Sequence, residues 1–250
     1  MDLQTEIKEK LSGKDTPFAI FDFDNTCIVN DVGEAVFSYM CRNKLLRDTN
    51  LIGAYEGDYH EAVFKKYHEL YGGGKIKEAY ALNAAMFSGF TPQEAEEIAR
   101  VGIEAEGSEI GEAELYGSKI AHGLALRPQV MELMRLLQLN GVRIWVVSAS
   151  AEIVVKVALK HFDIAVEDLI GVRAVIEEGI ITRELESPMP IIEGKVDCMR
   201  KYIDPTQAPL LVIDDSTTGL PILETADIKV VVNRNNALTK EAEKRGWYLL

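Results

Sequence analysis

The chain has 250 residues, 47% hydrophobic and 27% charged, with 19 glycines and 8 prolines, which supports one large or two unequal domains and excludes disorder, collagen-like repeats and disulfide miniproteins. Forty acidic against 27 basic residues leave a formal charge of −13, which repels a phosphate backbone and argues against nucleic acid as a partner. No run approaches the roughly 18 to 20 apolar residues of a membrane span, and the start MDLQTEIKEKLSGKD reads as a polar helix rather than a signal peptide, so the expectation is a cytoplasmic protein without membrane attachment, monomeric or a small homo-oligomer.

Phe18 to Phe23 (FAIFDF), bounded by Pro17 and by Asp24-Asn25-Thr26, reads as a buried parallel strand. From Asp31 to His122 the periodicity is helical. It is broken at Gly72-Gly73-Gly74 and restarts at Thr91-Pro92-Gln93-Glu94, with Thr at the N-cap, Pro at N1 and Glu at N3. No strand is expected there. Because this stretch holds 11 of the 19 aromatics, it reads as an all-helical cap domain, residues 31–122, inserted into a core formed by residues 1–30 and 123–250. A helix beginning at Pro128 and stopping at Asn140-Gly141 leads into a second strand, Val142 to Val147. Arg173 to Arg183 carries two β-rich runs around Glu178-Gly179 and reads as a hairpin beside the main sheet. A third strand, Leu210 to Ile213, is followed by a short helical piece, Leu220 to Thr225, and a fourth strand, Ile228 to Val232. Strands alternating with helices predict an α/β fold with a mainly parallel, Rossmann-like sheet.

In such a sheet, ligands bind beyond the carboxyl ends of the strands. The first strand delivers Asp22 and Asp24, the second Ser148, and the third Asp214 and Asp215, while Lys195 opens a helix in Glu193-Gly194-Lys195. Carboxylates at i and i+2 in an apolar strand repel one another and are costly to desolvate unless a cation or exposure relieves them. Oxygen donors without a His or Cys cluster select a hard ion, and Mg²⁺ takes one or two carboxylates while leaving room for a phosphate oxygen. Lys195 adds a point charge for that oxygen. Ser148, with the backbone at Asn25, Thr26 and Ala149, offers neutral donors around the same group. Together these are the parts for phosphoryl transfer. Cys27 lies near them, but no Cys-x5-Arg phosphate loop follows it, and the three cysteines, Cys27, Cys41 and Cys198, are widely separated without ligand spacing, as suits buried thiols in a reducing compartment.

The runs Asp22-Phe-Asp24-Asn-Thr26, Val146-Val-Ser148, Gly194-Lys195 and Ile213-Asp214-Asp215-Ser216 resemble the four motifs of the haloacid dehalogenase superfamily. The insert after the first motif, and Leu126-Arg127-Pro128 leading through Gly141 to Ser148, resemble its phosphoserine-phosphatase-like branch with a helical cap. The resemblance implies a phosphatase in which Asp22 is the nucleophile that becomes a phosphoaspartate, Asp24 the general acid and base, and Ser148 and Lys195 the phosphoryl-binding pair. It also implies Mg²⁺ held by Asp22, the backbone carbonyl of Asp24 and Asp215. The usual acidic residue about four positions after the metal ligand is here Gly219, and Asp214 is expected to supply that charge as a supporting residue. The stretch Asn30-Asp31-Val-Gly-Glu34 is similar to phosphoserine phosphatases at Asp31 and to phosphorylcholine phosphatases at Glu34. Both imply a small amine-bearing phosphomonoester, bound by Asp31 and Glu34 with cap tyrosines such as Tyr55, Tyr59 or Tyr67, or with Arg42 or Arg47 for a carboxylate. The alternatives are a phosphotransferase or mutase of the same superfamily, and a phosphate-binding scaffold that has lost catalysis.

Overall fold

A computed structural model describes residues 2–250. Helix α1 (Leu3–Leu11) precedes the central strand β1 (Phe18–Phe21), and a short strand β2 (Ile28–Val29) leads away into four helices, α2 (Val32–Arg42), α3 (Tyr59–Gly72), α4 (Ile76–Ala84) and α5 (Pro92–Glu106). A hairpin of β3 (Gly111–Leu115) and β4 (Ser118–His122) follows, and β5 (Ala125–Leu126) returns the chain to α6 (Pro128–Leu139), β6 (Arg143–Ala151), α7 (Glu152–His161) and β7 (Asp168–Val172). After a second hairpin, β8 (Ala174–Glu177) and β9 (Ile180–Leu185), come α8 (Gly194–Tyr202), β10 (Leu211–Asp214), α9 (Leu220–Leu223), β11 (Ile228–Val231), α10 (Ala237–Arg245) and β12 (Tyr248–Leu249).

The six-stranded sheet has the order β12-β11-β10-β1-β6-β7, and every neighbouring pair is parallel. Its strands are apolar on both faces because helices cover both. Phe18 and Ile20 point to the side of Met199, Leu223 and Leu238, while Ala19 and Phe21 point to the side of Leu133, Leu137 and Val155. β1 is buried along its whole length and lies between two strands, so its carboxyl end is a fixed platform.

All four strands read from the sequence are present, each within a few residues of its expected bounds. Two sheet strands were missed. β7 has its apolar run broken by Gly171, and β12 is only two residues long. The stretch 31–122 is helical through Glu106 but not throughout: β3 and β4 pair in antiparallel fashion from Gly111↔His122 to Leu115↔Ser118. This corrects the expectation of no strand. The hairpin escaped notice because only Leu115 and Ile120 are buried, leaving too little alternation, while its turn, Tyr116-Gly117, uses two positive φ angles, 50° and 77°, as tight hairpins require.

The helical stretch is tied to the core by backbone hydrogen bonds at two places, while α5 also packs on α7, with Glu96 paired to Lys156 at 2.8 Å. At its base, Ile28↔Leu126 and Val29↔Ala125 pair as a two-strand ladder, Asn30 Nδ2 donates to the carbonyls of His122 and Gly123, and the Arg127 amide donates to Cys27 O at 3.0 Å. On the far side the β8–β9 hairpin, expected where it is found, is bonded to the segment between α4 and α5: Gly89 N donates to Ile181 O at 2.9 Å and Ile181 N to Phe90 O at 2.8 Å. Arg183 adds an ion pair to Asp48 at 3.1 Å.

Helix α5 starts where the sequence places it. Thr91 Oγ1 accepts from Glu94 N, and Glu94 returns a carboxylate to Thr91 N, a complete capping box with Pro92 at the first position. Thr91→Ala should cost about 1 kcal/mol, lowering the melting temperature by roughly 2–4 °C at this chain length; an unchanged melting curve would mean the cap contributes nothing.

Candidate active site

The chain leaves β1 at Phe21 and turns at once, with Asn25 at φ 57° and its amide bonded to Asn30 O at 2.9 Å. That turn presents Asp22 and Asp24 on different sides. Asp22 Oδ1 accepts from Lys195 Nζ at 2.8 Å, and its Oδ2 accepts from Thr26 Oγ1 at 2.9 Å. Lys195, on the first turn of α8, also donates to Asp214 Oδ2 at 2.8 Å. Asp214 Oδ1 in turn accepts the amides of Asp215 and Ser216 at 2.9 and 3.1 Å. Asp215 is held by the Arg234 guanidinium through Oδ2 and by Asn236 Nδ2, which donates to its backbone carbonyl at 2.7 Å.

Asp24 is gripped separately. Its Oδ2 accepts from Ser148 Oγ at 3.1 Å and Ser150 Oγ at 2.8 Å, and its Oδ1 accepts from Val32 N at 2.7 Å. These bonds connect the ends of β1, β6 and the first turn of α2. A Cβ on Gly33 would lie 2.6 Å from Ser150 Oγ, so a side chain there would displace the hydroxyl that donates to Asp24.

Four carboxylates thus sit out of water with one buried ammonium among them: Asp22, Asp24, Asp214, Asp215 and Lys195 are each at most 8% exposed. Burial and the neighbouring carboxylates raise the Asp22 and Asp215 pKa values, against the opposing pull of Lys195 and Arg234. Burial, then repulsion from Asp31, pushes Asp24 up to about 8 despite its hydrogen bonds. Burial works against the Lys195 charge, but Asp214 and Asp22 outweigh it and hold the ammonium protonated. The Cys27 thiol donates to Asp22 O at 3.2 Å and is pushed up by burial and both aspartates, so it is a buried thiol rather than a nucleophile.

A cation fits this donor set. Oxygens of Asp22, Asp214 and Asp215 lie within 4.8 Å of one another, all donors are hard oxygens, and the three carboxylates outnumber the two cations, Lys195 and Arg234, that pair with them.

Residues 19–216 match the haloacid dehalogenase-like hydrolase family. The chain belongs to that family. No curated protein matches the sequence. Among solved structures, a protein of unknown function from Bordetella pertussis Tohama I is similar with a TM-score of 0.72 and 18% identity, over 93% of this chain and 97% of that one. A phosphoserine phosphohydrolase-like protein from Francisella tularensis subsp. tularensis SCHU S4 follows at 0.59 and 16%, covering 94% of each. A phosphoserine phosphatase described as a phospho-aspartyl intermediate analogue stands at 0.57 and 14%, over 94% and 93%. The hydrolase therefore shares the fold of the phosphoserine-phosphatase-like branch.

The hydrolase brings Asp22, Asp24, Thr26, Ser148, Lys195, Asp214 and Asp215 together. Asn25 contributes backbone, its carbonyl accepting from Arg127 Nε at 3.1 Å, and Ala149 follows Ser148 on β6. Asp31, the N-cap of α2, accepts from Glu34 N at 2.8 Å and lies near enough to Asp22 and Asp215 to be raised by them. Tyr55 and Tyr59 are not part of this cluster. They pack on each other at 5.0 Å, and the Tyr59 hydroxyl is spent between Asp48 O and Leu51 N. Arg47 is paired with Glu94 beneath Phe90, and Arg42 is exposed at the end of α2.

Sequence reasoning missed Ser150, Arg234, Tyr71 and Tyr80. Ser150 stands two residues beyond Ser148 on the same strand, and Arg234 follows the end of β11, so the strand-end rule applied one residue pair further and one strand later finds both. Tyr67, Tyr71 and Tyr80 form a chain of rings with centroids 6.1 and 6.2 Å apart. All three hydroxyls feel the Asp31 charge, so the three rings lie near Asp31, with Tyr67 buried against Phe37.

Burial, then Glu34, Asp22 and Asp215, raises Asp31 to about 7. Between its unfolded value near 3.8 and that figure the folded protein binds a proton that the unfolded chain releases, so this residue lowers stability as pH rises through the window. Without metal, Asp31→Asn should flatten the fall in melting temperature between pH 5 and 7.5 and raise it at pH 7.5. Parallel pH profiles for the two proteins would rule out the buried-acid account.

Proposed function

We propose that this hydrolase is a Mg²⁺-dependent phosphomonoester phosphatase working through a phosphoaspartate on Asp22, with a small amine-bearing substrate. The observation that carries the reading is the Lys195 ammonium bridging Asp22 and Asp214 beside Asp215, at the edge where the strands of the matched family region end. Asp22, Asp215 and the backbone carbonyl of Asp24 would hold Mg²⁺, which would neutralise charge so that a carboxylate can approach a phosphate. Asp214 is a poor candidate ligand, because its two oxygens already serve one ammonium and two amides.

In the first step an Asp22 oxygen attacks phosphorus while Thr26 and Lys195 fix the carboxylate's orientation. The bond from phosphorus to the ester oxygen breaks, and that oxygen takes a proton from Asp24, which burial keeps protonated near neutral pH. In the second step water attacks the phosphoaspartate, giving a proton to the Asp24 carboxylate. Phosphate leaves and Asp22 is restored. Ser148 and Lys195 would hold the phosphoryl oxygens.

Residues 31–122 would act as a cap that excludes water and reads the leaving group. Asp31, Glu34 and the rings of Tyr71 and Tyr80 would offer negative charge and π surface, which suits an ammonium. Arg47 is committed to Glu94 and Arg234 to Asp215, and Arg42 is exposed at the opposite end of α2 from Asp31 and Glu34, so none of the three offers an uncommitted guanidinium beside those acids. Choline or ethanolamine phosphate is therefore favoured over phosphoserine.

Phosphate release from p-nitrophenyl phosphate should require Mg²⁺, stop with EDTA, and fall roughly a thousandfold or more in Asp22→Asn; metal-independent release, or an Asp22→Asn protein of parental rate, would refute the mechanism. Against choline phosphate, Tyr71→Ala and Tyr80→Ala should each raise KM about 3- to 30-fold with little effect on p-nitrophenyl phosphate. Equal effects on both substrates would remove the tyrosines from amine recognition.

A further inference from the structure

Asp215 has a cation of its own, delivered from beyond β11. The loop that carries it is tied at both ends: Asn233 N donates to Leu250 O at 2.7 Å, and Asn236 caps α10 by accepting from Thr239 N at 3.0 Å while its Nδ2 reaches Asp215 O. Between them Arg234 N donates to Thr239 Oγ1 at 3.3 Å, and Asn235 takes φ 53°, a left-handed turn that asparagine tolerates. A fixed backbone therefore aims the Arg234 guanidinium at Asp215 Oδ2. The pairing is one-sided. The Asp215 side chain is 6% exposed and that of Arg234 38%, so the acid needs the guanidinium more than the guanidinium, partly in water, needs the acid. The other Asp215 oxygen, Oδ1, lies 3.4 Å from Thr26 Oγ1, which donates to Asp22 Oδ2. One oxygen thus faces the nucleophile and the other the arginine.

We infer that Arg234 is the resident counter-ion of Asp215, stabilising the metal-free site and, through the same charge, competing with Mg²⁺ for it. Asp22, Asp214 and Asp215 are paired with only Lys195 and Arg234, an excess of one carboxylate that becomes two if the guanidinium is removed. A divalent ion beside Asp215 meets the guanidinium's charge at close range, and burial limits the screening of that repulsion by water. Affinity for a hard divalent ion follows the acid charge left uncompensated around it. No other cation can stand in. Lys195 is already shared between Asp22 and Asp214, while Arg127 is spent on Asn25 O at 3.1 Å and its charge is disfavoured by burial and by Arg234. The competition rests on the phosphatase reading, which puts the ion at Asp215; the counter-ion role in the metal-free protein does not.

Two measurements test this. Melting temperatures in EDTA are compared for the parent, Arg234→Gln, Asp215→Asn and the double variant. Arg234→Gln should lower the melting temperature of the parent and lower it much less in the Asp215→Asn background, where no charge is left to pair. Equal losses in both backgrounds would overturn the counter-ion role. Mg²⁺ affinity is then measured by calorimetry. Arg234→Gln should bind Mg²⁺ about 3- to 30-fold more tightly than the parent, and Arg234→Lys, which keeps the charge, should stay within about threefold of it. An arginine that merely held the loop in place would give the opposite sign, since misplacing Asp215 weakens the site. Weaker or unchanged Mg²⁺ binding in Arg234→Gln would overturn the competition. A parent that binds no Mg²⁺ would count against the phosphatase reading and the competition together, and the melting comparison would still decide the counter-ion role.

Discussion

A single ammonium held between two buried carboxylates organises this protein's candidate site. Lys195 comes from the first turn of α8, Asp22 from the end of β1 and Asp214 from the end of β10, so the bridge joins three elements at the carboxyl edge of the sheet. Charges so far from water are costly to bury unless paired and hydrogen-bonded. The structure meets that cost with directed donors: Thr26 on Asp22, two amides on Asp214, Arg234 and Asn236 on Asp215. The negative charge that remains unmatched is what a metal ion and a phosphoryl group would share. The same crowding would cost stability in the absence of a cation and would be relieved by one.

The helical stretch is coupled to that edge through its own base. Asn30 ties the outgoing and returning chains together and gives its carbonyl to Asn25 in the turn between Asp22 and Asp24. Val32 N, in the first turn of α2, donates directly to Asp24. Any displacement of α2 therefore acts on the group proposed to handle the proton. At the opposite side, the bonds from Ile181 to Gly89 and Phe90 hold the stretch against the β8–β9 hairpin, and α5 packs on α7 with Glu96 paired to Lys156, so a rigid swing would have to break contacts at one side or the other.

Much of this was legible in the sequence, because buried parallel strands read as apolar runs and strand ends are where polar residues stand out. Asp22, Asp24, Ser148 and the Asp214-Asp215 pair each follow such a run. Lys195 carried no signal of its own beyond its motif, since a lysine at a helix start is ordinarily solvated. Other features could not be read because they depend on distances between segments. Gly219 looks like a lost acid until the Asp214 carboxylate is seen where a Cβ on it would fall. The sequence offers Tyr55, Tyr59 and Tyr67 and gives no mark to Tyr71 or Tyr80; only the folded chain shows Tyr55 packed on Tyr59, with the Tyr59 hydroxyl between Asp48 O and Leu51 N, and Tyr71 and Tyr80 near Asp31. The β3–β4 hairpin, with two buried residues, left almost no pattern to find.

The central claim is that Asp22 is the atom donor to phosphorus. Acid quenching of the enzyme during turnover of a ³²P-labelled phosphomonoester, followed by borohydride reduction and peptide mapping, addresses it directly. The account predicts label, or its reduced homoserine product, at position 22. Label on any other residue, or phosphate release with no trapped protein adduct under conditions of steady turnover, would contradict it.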